Sequence, residues 1–221
     1  MGVNDKRRKQ IKLGNMKKLL LSATILFGSL GAFAQGGLGY GLRAGVNIPK
    51  YSFENGSSES NTGFFVTGYL DAPVSPYFSI QPGLSLQNKG GKWSAGDGNN
   101  SGEVKQSVMS LDIPVNLVAK LPTGGSGNFF IGAGPYVGFG LSGKNKWNIA
   151  GVKTEEDVEF GSGDGGELKR TDFGVNFLAG YQLTNGFQIN AGYGLGLTNL
   201  SPVSNLSTKN RVWSVGIGFG L

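Results

Sequence analysis

The sequence predicts an all-β fold: an eight-stranded antiparallel up-and-down transmembrane β-barrel that follows a cleaved signal peptide. Three observations carry this expectation. From Leu38 onward apolar residues recur at every second position with few breaks, the period of a strand whose two faces meet different surroundings. The alternate positions are mostly Gly, Ser, Asn and Gln with few charges. That suits a narrow hydrogen-bonded lumen better than a surface turned to bulk water. The connections alternate strictly between long and short, as expected when turns sit at one end of a barrel and loops at the other.

The leader comes first in the chain. Lys17 and Lys18 precede an apolar stretch from Leu19 to Leu30, and Ala32-Phe33-Ala34 forms an A-x-A cleavage site before Gln35. These are the three parts of a secretory signal. The apolar run is shorter than the roughly 20 residues a spanning helix needs. Met16 stands just before the lysine pair, so residues 1–15 read as an upstream extension or mis-called start, 16–34 as the signal peptide and 35–221 as the barrel domain. Residues 1–34 carry seven of the 20 basic residues and one of the 14 acidic ones. The net charge of +6 therefore belongs to the leader; the rest of the chain is neutral and carries no signature of a nucleic-acid partner.

The strands follow in order. The first four occupy roughly 38–48, 62–72, 77–88 and 105–119. In the fifth, Phe129, Ile131, Ala133, Val137, Phe139 and Leu141 oppose Gly132, Gly134, Tyr136, Gly138 and Gly140. Phe173–Leu183 and Phe187–Thr198 repeat the pattern, and Trp213, Val215, Ile217, Phe219 and Leu221 line one face of the last strand. The long connections are 49–61, 89–104, 143–166 and 199–208, and they hold most of the acidic residues. With both termini periplasmic, all four fall outside the cell. Tyr40, Phe78, Phe129, Tyr181, Phe187 and Phe219 fall near the periplasmic strand ends, and Phe64, Phe139, Phe173 and Trp213 near the outer ends. Two aromatic girdles of this kind fit the membrane interfaces.

Several function classes drop out. The chain has no Cys and no His, which removes disulfides, thiolate metal sites, imidazole bases and every His-containing triad. Counting along the strands places Asp71 near the periplasmic end, Asp112 at mid-height and Asp172 near the outer rim. No carboxylate pair converges on that count, so catalysis is not expected. Asp97-Gly98-Asn99-Asn100-Ser101-Gly102 imitates the start of a calcium loop but offers Val108 where the closing Glu belongs. Glu155-Glu156-Asp157 with Glu159 reads as a solvated acidic loop, with loose divalent-ion binding as the sharper alternative. No cofactor is implied.

One lumen constellation stands out. Arg43, Asp112, Tyr136 and Asn176 fall at similar mid-barrel heights on four strands. An inward Arg in a narrow barrel needs a partner, and Asp112 is the natural one. The set is expected to fill the interior as a plug, with a thin wet path past the small inward glycines as the alternative.

Short motifs along the chain resemble a known family. Gly41-Leu42-Arg43-Ala44-Gly45-Val46-Asn47, Ile80-Gln81-Pro82-Gly83-Leu84, Leu111-Asp112-Ile113-Pro114-Val115 and Gly132-Ala133-Gly134-Pro135-Tyr136-Val137-Gly138 come first. Asp172-Phe173-Gly174, Tyr193-Gly194-Leu195-Gly196-Leu197-Thr198-Asn199 and Lys209-Asn210-Arg211 complete the series. Their order is similar to that of the PorT-like "porin family" outer-membrane β-barrel domain of Bacteroidota. The resemblance implies an eight-stranded barrel in the outer membrane and no single activity. Its named member is linked to protein secretion across that membrane. The chain departs from many such barrels in ending on Leu221, with Phe219 as the nearest aromatic. The function expected is a structural or interaction barrel whose outer loops carry any binding, set against a narrow diffusion pore or an accessory factor for secretion. Expected partners are outer-membrane lipid, lipopolysaccharide and the barrel-assembly machinery.

Overall fold

The computed structural model describes residues 37–54, 56–95, 102–149, 151–161, 166–203 and 206–221. The signal peptide and the heart of the calcium-like motif, Asp97–Ser101, lie outside the described residues. Ten strands occur among them: β1 (Gly39–Phe53), β2 (Gly56–Ser57), β3 (Gly63–Pro73), β4 (Phe78–Ala95), β5 (Gly102–Pro122), β6 (Gly127–Ile149), β7 (Val152–Asp157), β8 (Thr171–Leu183), β9 (Phe187–Gly196) and β10 (Lys209–Gly220). Eight of them pair antiparallel in the order β1-β3-β4-β5-β6-β8-β9-β10, and β10 pairs back onto β1. The sheet thereby closes on itself and loses its edges, as a β-structure in lipid must.

Alternation sets the faces as expected. Gln188 and Asn190 are buried while Phe187 and Ile189 are exposed, and in β10 Trp213, Val215, Ile217 and Phe219 all face outward. These exposed side chains join those of the other barrel strands in a continuous apolar belt. Soluble monomers rarely expose apolar patches beyond a few hundred Å², so the belt is a lipid-facing surface.

Three expectations about the connections need correction. Residues 89–104 and 143–166 are not simply loops. β4 and β5 stay paired up to Ala95 and Gly102, and β6 runs on to Ile149 before turning back as β7. β1 likewise continues to Phe53 and folds back onto β2. The upper parts of β4, β5 and β6 with β7 thus form a four-stranded sheet that rises beyond the apolar belt. Alternation marks this region poorly because its inner face, with Gly91, Gly143 and Asn145 beside Trp93, is little more apolar than its outer one. The short connections 74–77, 123–126 and 184–186 lie at the opposite end. There the start of β1 meets the end of β10, with Tyr40 and Leu221 exchanging backbone hydrogen bonds of 3.2 and 2.9 Å.

A β-bulge separates the two regimes on β6. Met109 opposes Ser142 but Ser110 opposes Gly140, so one extra residue enters β6. Below it the even-numbered positions Tyr136, Gly138 and Gly140 face inward. Above it the odd-numbered Gly143 and Asn145 do.

Candidate functional site

The lumen is filled at three heights. At the end near the short turns, Arg43 of β1 is buried and lies over the Tyr69 ring at 3.9 Å, with Phe130 at 5.5 Å. Its Nε donates to Gln188 Oε1 (3.0 Å) and its Nη2 to Gln81 Oε1 (2.9 Å). Gln188 in turn donates to the Tyr69 hydroxyl (2.7 Å), and Gln81 to Asp71 (3.2 Å), which is ion-paired with Lys120. The guanidinium is therefore held by amide oxygens and ring faces, and it reaches a carboxylate only through Gln81.

The expected Arg43–Asp112 pair is not formed. Through Thr67 and Ser85 the two are indeed register partners. Strands in such a barrel are tilted, however, and a line of register partners climbs as it goes round. Extended through the remaining pairs, the line from Arg43 returns to β1 about ten residues further along, near Phe53. Asp112 consequently sits well above Arg43, whose side chain lies among residues nearer the short turns.

Asp112 belongs to a second assembly at mid-lumen. Lys89 Nζ lies 2.7 Å from Asp112 Oδ2 and 3.1 Å from Asp172 Oδ2, and all three residues are buried. The Tyr136 hydroxyl donates to Asp172 Oδ2 (3.0 Å), as does Asn210 Nδ2 (2.9 Å). Gln87 Nε2 and Ser110 Oγ each donate to Asp112 at 2.5 Å. Lys89 also lies 4.6 Å from the Tyr136 ring. Contrary to the sequence count, Asp112 and Asp172 do converge, on one ammonium. Gly138 makes room for them: a Cβ there would stand 2.5 Å from Asp112 Oδ1 and 3.2 Å from Lys89 Nζ.

Between the two assemblies lies a cavity of about 100 Å³. Arg43, Asp112, Tyr136 and Asn176 all border it, so the four singled-out residues share one chamber although Arg43 and Asp112 do not touch. Sequence reasoning missed Lys89, Asp172, Gln81 and Gln188. Lys89 has the same parity as the inward Gln81, Ser85 and Gln87, and carrying the alternation two residues past Gln87 would have turned it inward.

The third stopper is apolar. Tyr51, Val108, Val158, Leu168 and Leu200 form a buried cluster at the mouth, flanked by Phe53, Trp93 and Phe160. Trp93 stacks on Tyr51 with ring centroids 5.9 Å apart. Val108, the residue that breaks the calcium pattern, is part of this cap.

Above the cap, the projecting sheet is charged on its outer face. Lys92, Lys105, Lys146 and Glu155 stand directly opposite one another across β4, β5, β6 and β7. Like charges so placed repel, and interleaved acids offset this: Glu103 pairs Lys92 (2.8 Å) and Lys105 (3.6 Å), and Glu155 pairs Lys144 and Lys146. Hydrogen bonds from Lys144 and Lys146 hold the Glu155 carboxyl at about 2, below the usual carboxylate range.

The profile of a family described as "Outer membrane protein beta-barrel domain" matches residues 33–201. No curated protein matches the chain. Among solved structures it is similar to Ail, the attachment invasion locus protein of Yersinia pestis, at 12% identity and a TM-score of 0.44, covering 83% of this chain and 98% of that one. It is also similar to Neisserial surface protein A, at 12% identity and a TM-score of 0.43, covering 82% of this chain and 96% of that one.

Proposed function

The chain belongs to the family of outer membrane protein beta-barrel domains and is a protein of the bacterial outer membrane, where we propose that it acts as a closed, non-catalytic barrel whose outward end is an interaction surface. The observation that carries this reading is the filled lumen. A through-path would have to breach the Arg43–Gln81–Gln188 floor, the Lys89–Asp112–Asp172 bridge and the apolar cap around Tyr51 in turn. Both converging carboxylates are held in an ion pair with Lys89, Asp112 accepting further from Ser110 and Gln87 and Asp172 from Tyr136 and Asn210, with only Asp172 Oδ1 left without a hydrogen bond.

In this reading the termini and short turns are periplasmic and the projecting sheet extracellular. Supporting it is the placement of the start of β1 and the end of β10 on the side of the turns 74–77, 123–126 and 184–186, together with the signal-like leader. Lipid and lipopolysaccharide surround the belt, and the barrel-assembly machinery handles insertion. The finer likeness to PorT-like proteins of Bacteroidota belongs to the same proposal.

Planar-bilayer recording on the purified barrel tests the reading. Wild type should show no steady conductance. A steady ion current through wild-type barrels would overturn the closed lumen and restore the narrow diffusion pore.

A further inference from the structure

We infer that the free edge of β7 accepts an extended, basic segment of another protein as an added strand. The inference rests on the interaction role proposed above and gives that role a place and a chemistry.

The edge is open in the backbone itself. β7 pairs with β6 along Val152–Asp157, and among the described residues its other side makes no backbone hydrogen bond. Val158 donates its N–H to Gly143 O (2.9 Å), and backbone groups alternate sides along an antiparallel ladder. Val152, Thr154 and Glu156 therefore turn toward β6, whereas Lys153, Glu155 and Asp157 turn their N–H and C=O groups to the open side. All six residues are exposed. The usual devices that blunt an edge are proline, a bulge or extreme shortness. β7 contains no proline, keeps one register with β6, and is six residues long. Charge alone guards it.

That charge selects the occupant. Lys144 and Lys146 already neutralise Glu155, whereas Glu156, and Asp157 although it stands opposite Lys144, make no ion pair among the described residues. On the inner face the rows Trp147–Thr154 and Ile149–Val152 offer apolar surface, with Ile149 and Val152 59% and 69% exposed. An incoming antiparallel strand thus meets, from its N-terminal end, two carboxylates, then Glu155 and Thr154, then Lys153 and Val152. It should present two basic residues, then a polar and an apolar one, then a polar and an apolar one. Such added strands draw affinity from the main chain and specificity from alternate side chains.

A second copy in the same membrane does not fit. Two barrels related about the membrane normal both run β7 toward the membrane. With strands tilted about 40°, their edges would cross at about 80° and not align.

The test uses the full mature chain folded in lipid nanodiscs and a blocked synthetic peptide, Lys-Arg-Ser-Val-Thr-Val. Saturating peptide should slow amide hydrogen exchange at Lys153, Glu155 and Asp157 at least tenfold. N-methylation of the peptide amides that face β7 should weaken binding at least tenfold, and so should the double substitution Glu156→Lys and Asp157→Lys. Unchanged exchange at millimolar peptide would overturn the inference. So would equal affinity for the methylated peptide, since attraction by charge alone does not need those amides. Neither result touches the closed lumen, which bilayer recording decides separately.

Discussion

Remove the Lys89 ammonium, and Asp112 and Asp172 face one another across Gly138 with no cation between them. Taking one partner out of a buried ionic group leaves charge uncompensated, at a cost of about 3–5 kcal/mol. Lys89→Met should therefore destabilise the barrel by about that much in denaturant unfolding from vesicles. The triple variant that adds Asp112→Asn and Asp172→Asn should recover most of the loss, because the residues act as a unit. Losses that simply add would mean the three side chains do not meet in the folded protein. Arg43 is a different case: its partners are neutral amides, so its removal leaves unpaired oxygens and no opposing charge.

At the scale of the strand, inward glycines make room for rings. A Cβ at Gly174 would stand 2.5 Å from the Tyr136 ring, and one at Gly180 would stand 2.4 Å from the Phe130 ring. The small residues that suggest a thin wet channel when read in sequence are thus partly occupied by aromatic side chains of neighbouring strands. The strand faces give a sharper test. Ala191 is exposed on the lipid side of β9, and Ala191→Arg should cost about 2–4 kcal/mol near the midplane. That penalty should change between bilayers of two thicknesses. Gly192→Ala would place a Cβ 2.6 Å from Ser214 Oγ inside the lumen, and its smaller loss should be indifferent to the bilayer. A bilayer-independent penalty at Ala191 would reverse the face assignment.

Over the whole molecule, what the sequence made readable was whatever depends on parity and spacing. Eight barrel strands, their faces and the end at which β1 begins and β10 finishes all follow from period two and from long–short connections. Contacts across the lumen do not, because they depend on height. Height in a tilted barrel combines position along a strand with position around the ring, so Arg43 and Asp112 share a register line without touching. The projecting sheet was hidden for another reason. Beyond Gln87 the inner face of β4 continues as Lys89 and Gly91, which are buried yet differ little in polarity from Gly90, Lys92 and Ser94. The bulge before Ser142 is also silent in composition, although without it Lys144 and Lys146 would point into the mouth.

The capped mouth also sets an order of events in assembly. Tyr51, Val108, Val158, Leu168 and Leu200 come from well-separated stretches of the chain, and β10 must find β1 before the ring exists. Contacts so distant along the chain form late, after the loop-closure entropy has been met. The three tryptophans happen to sit at separate stations of this process. Trp213 faces lipid, Trp93 stacks within the cap, and Trp147 stands on the projecting sheet. Single-tryptophan variants should turn the barrel into its own clock. Emission from Trp213 should shift to the blue as strands enter the bilayer, and that from Trp93 only when the ring is shut and the cap packs. If Trp93 matures first, the cap is a nucleus on which the barrel closes and not the seal that follows closure.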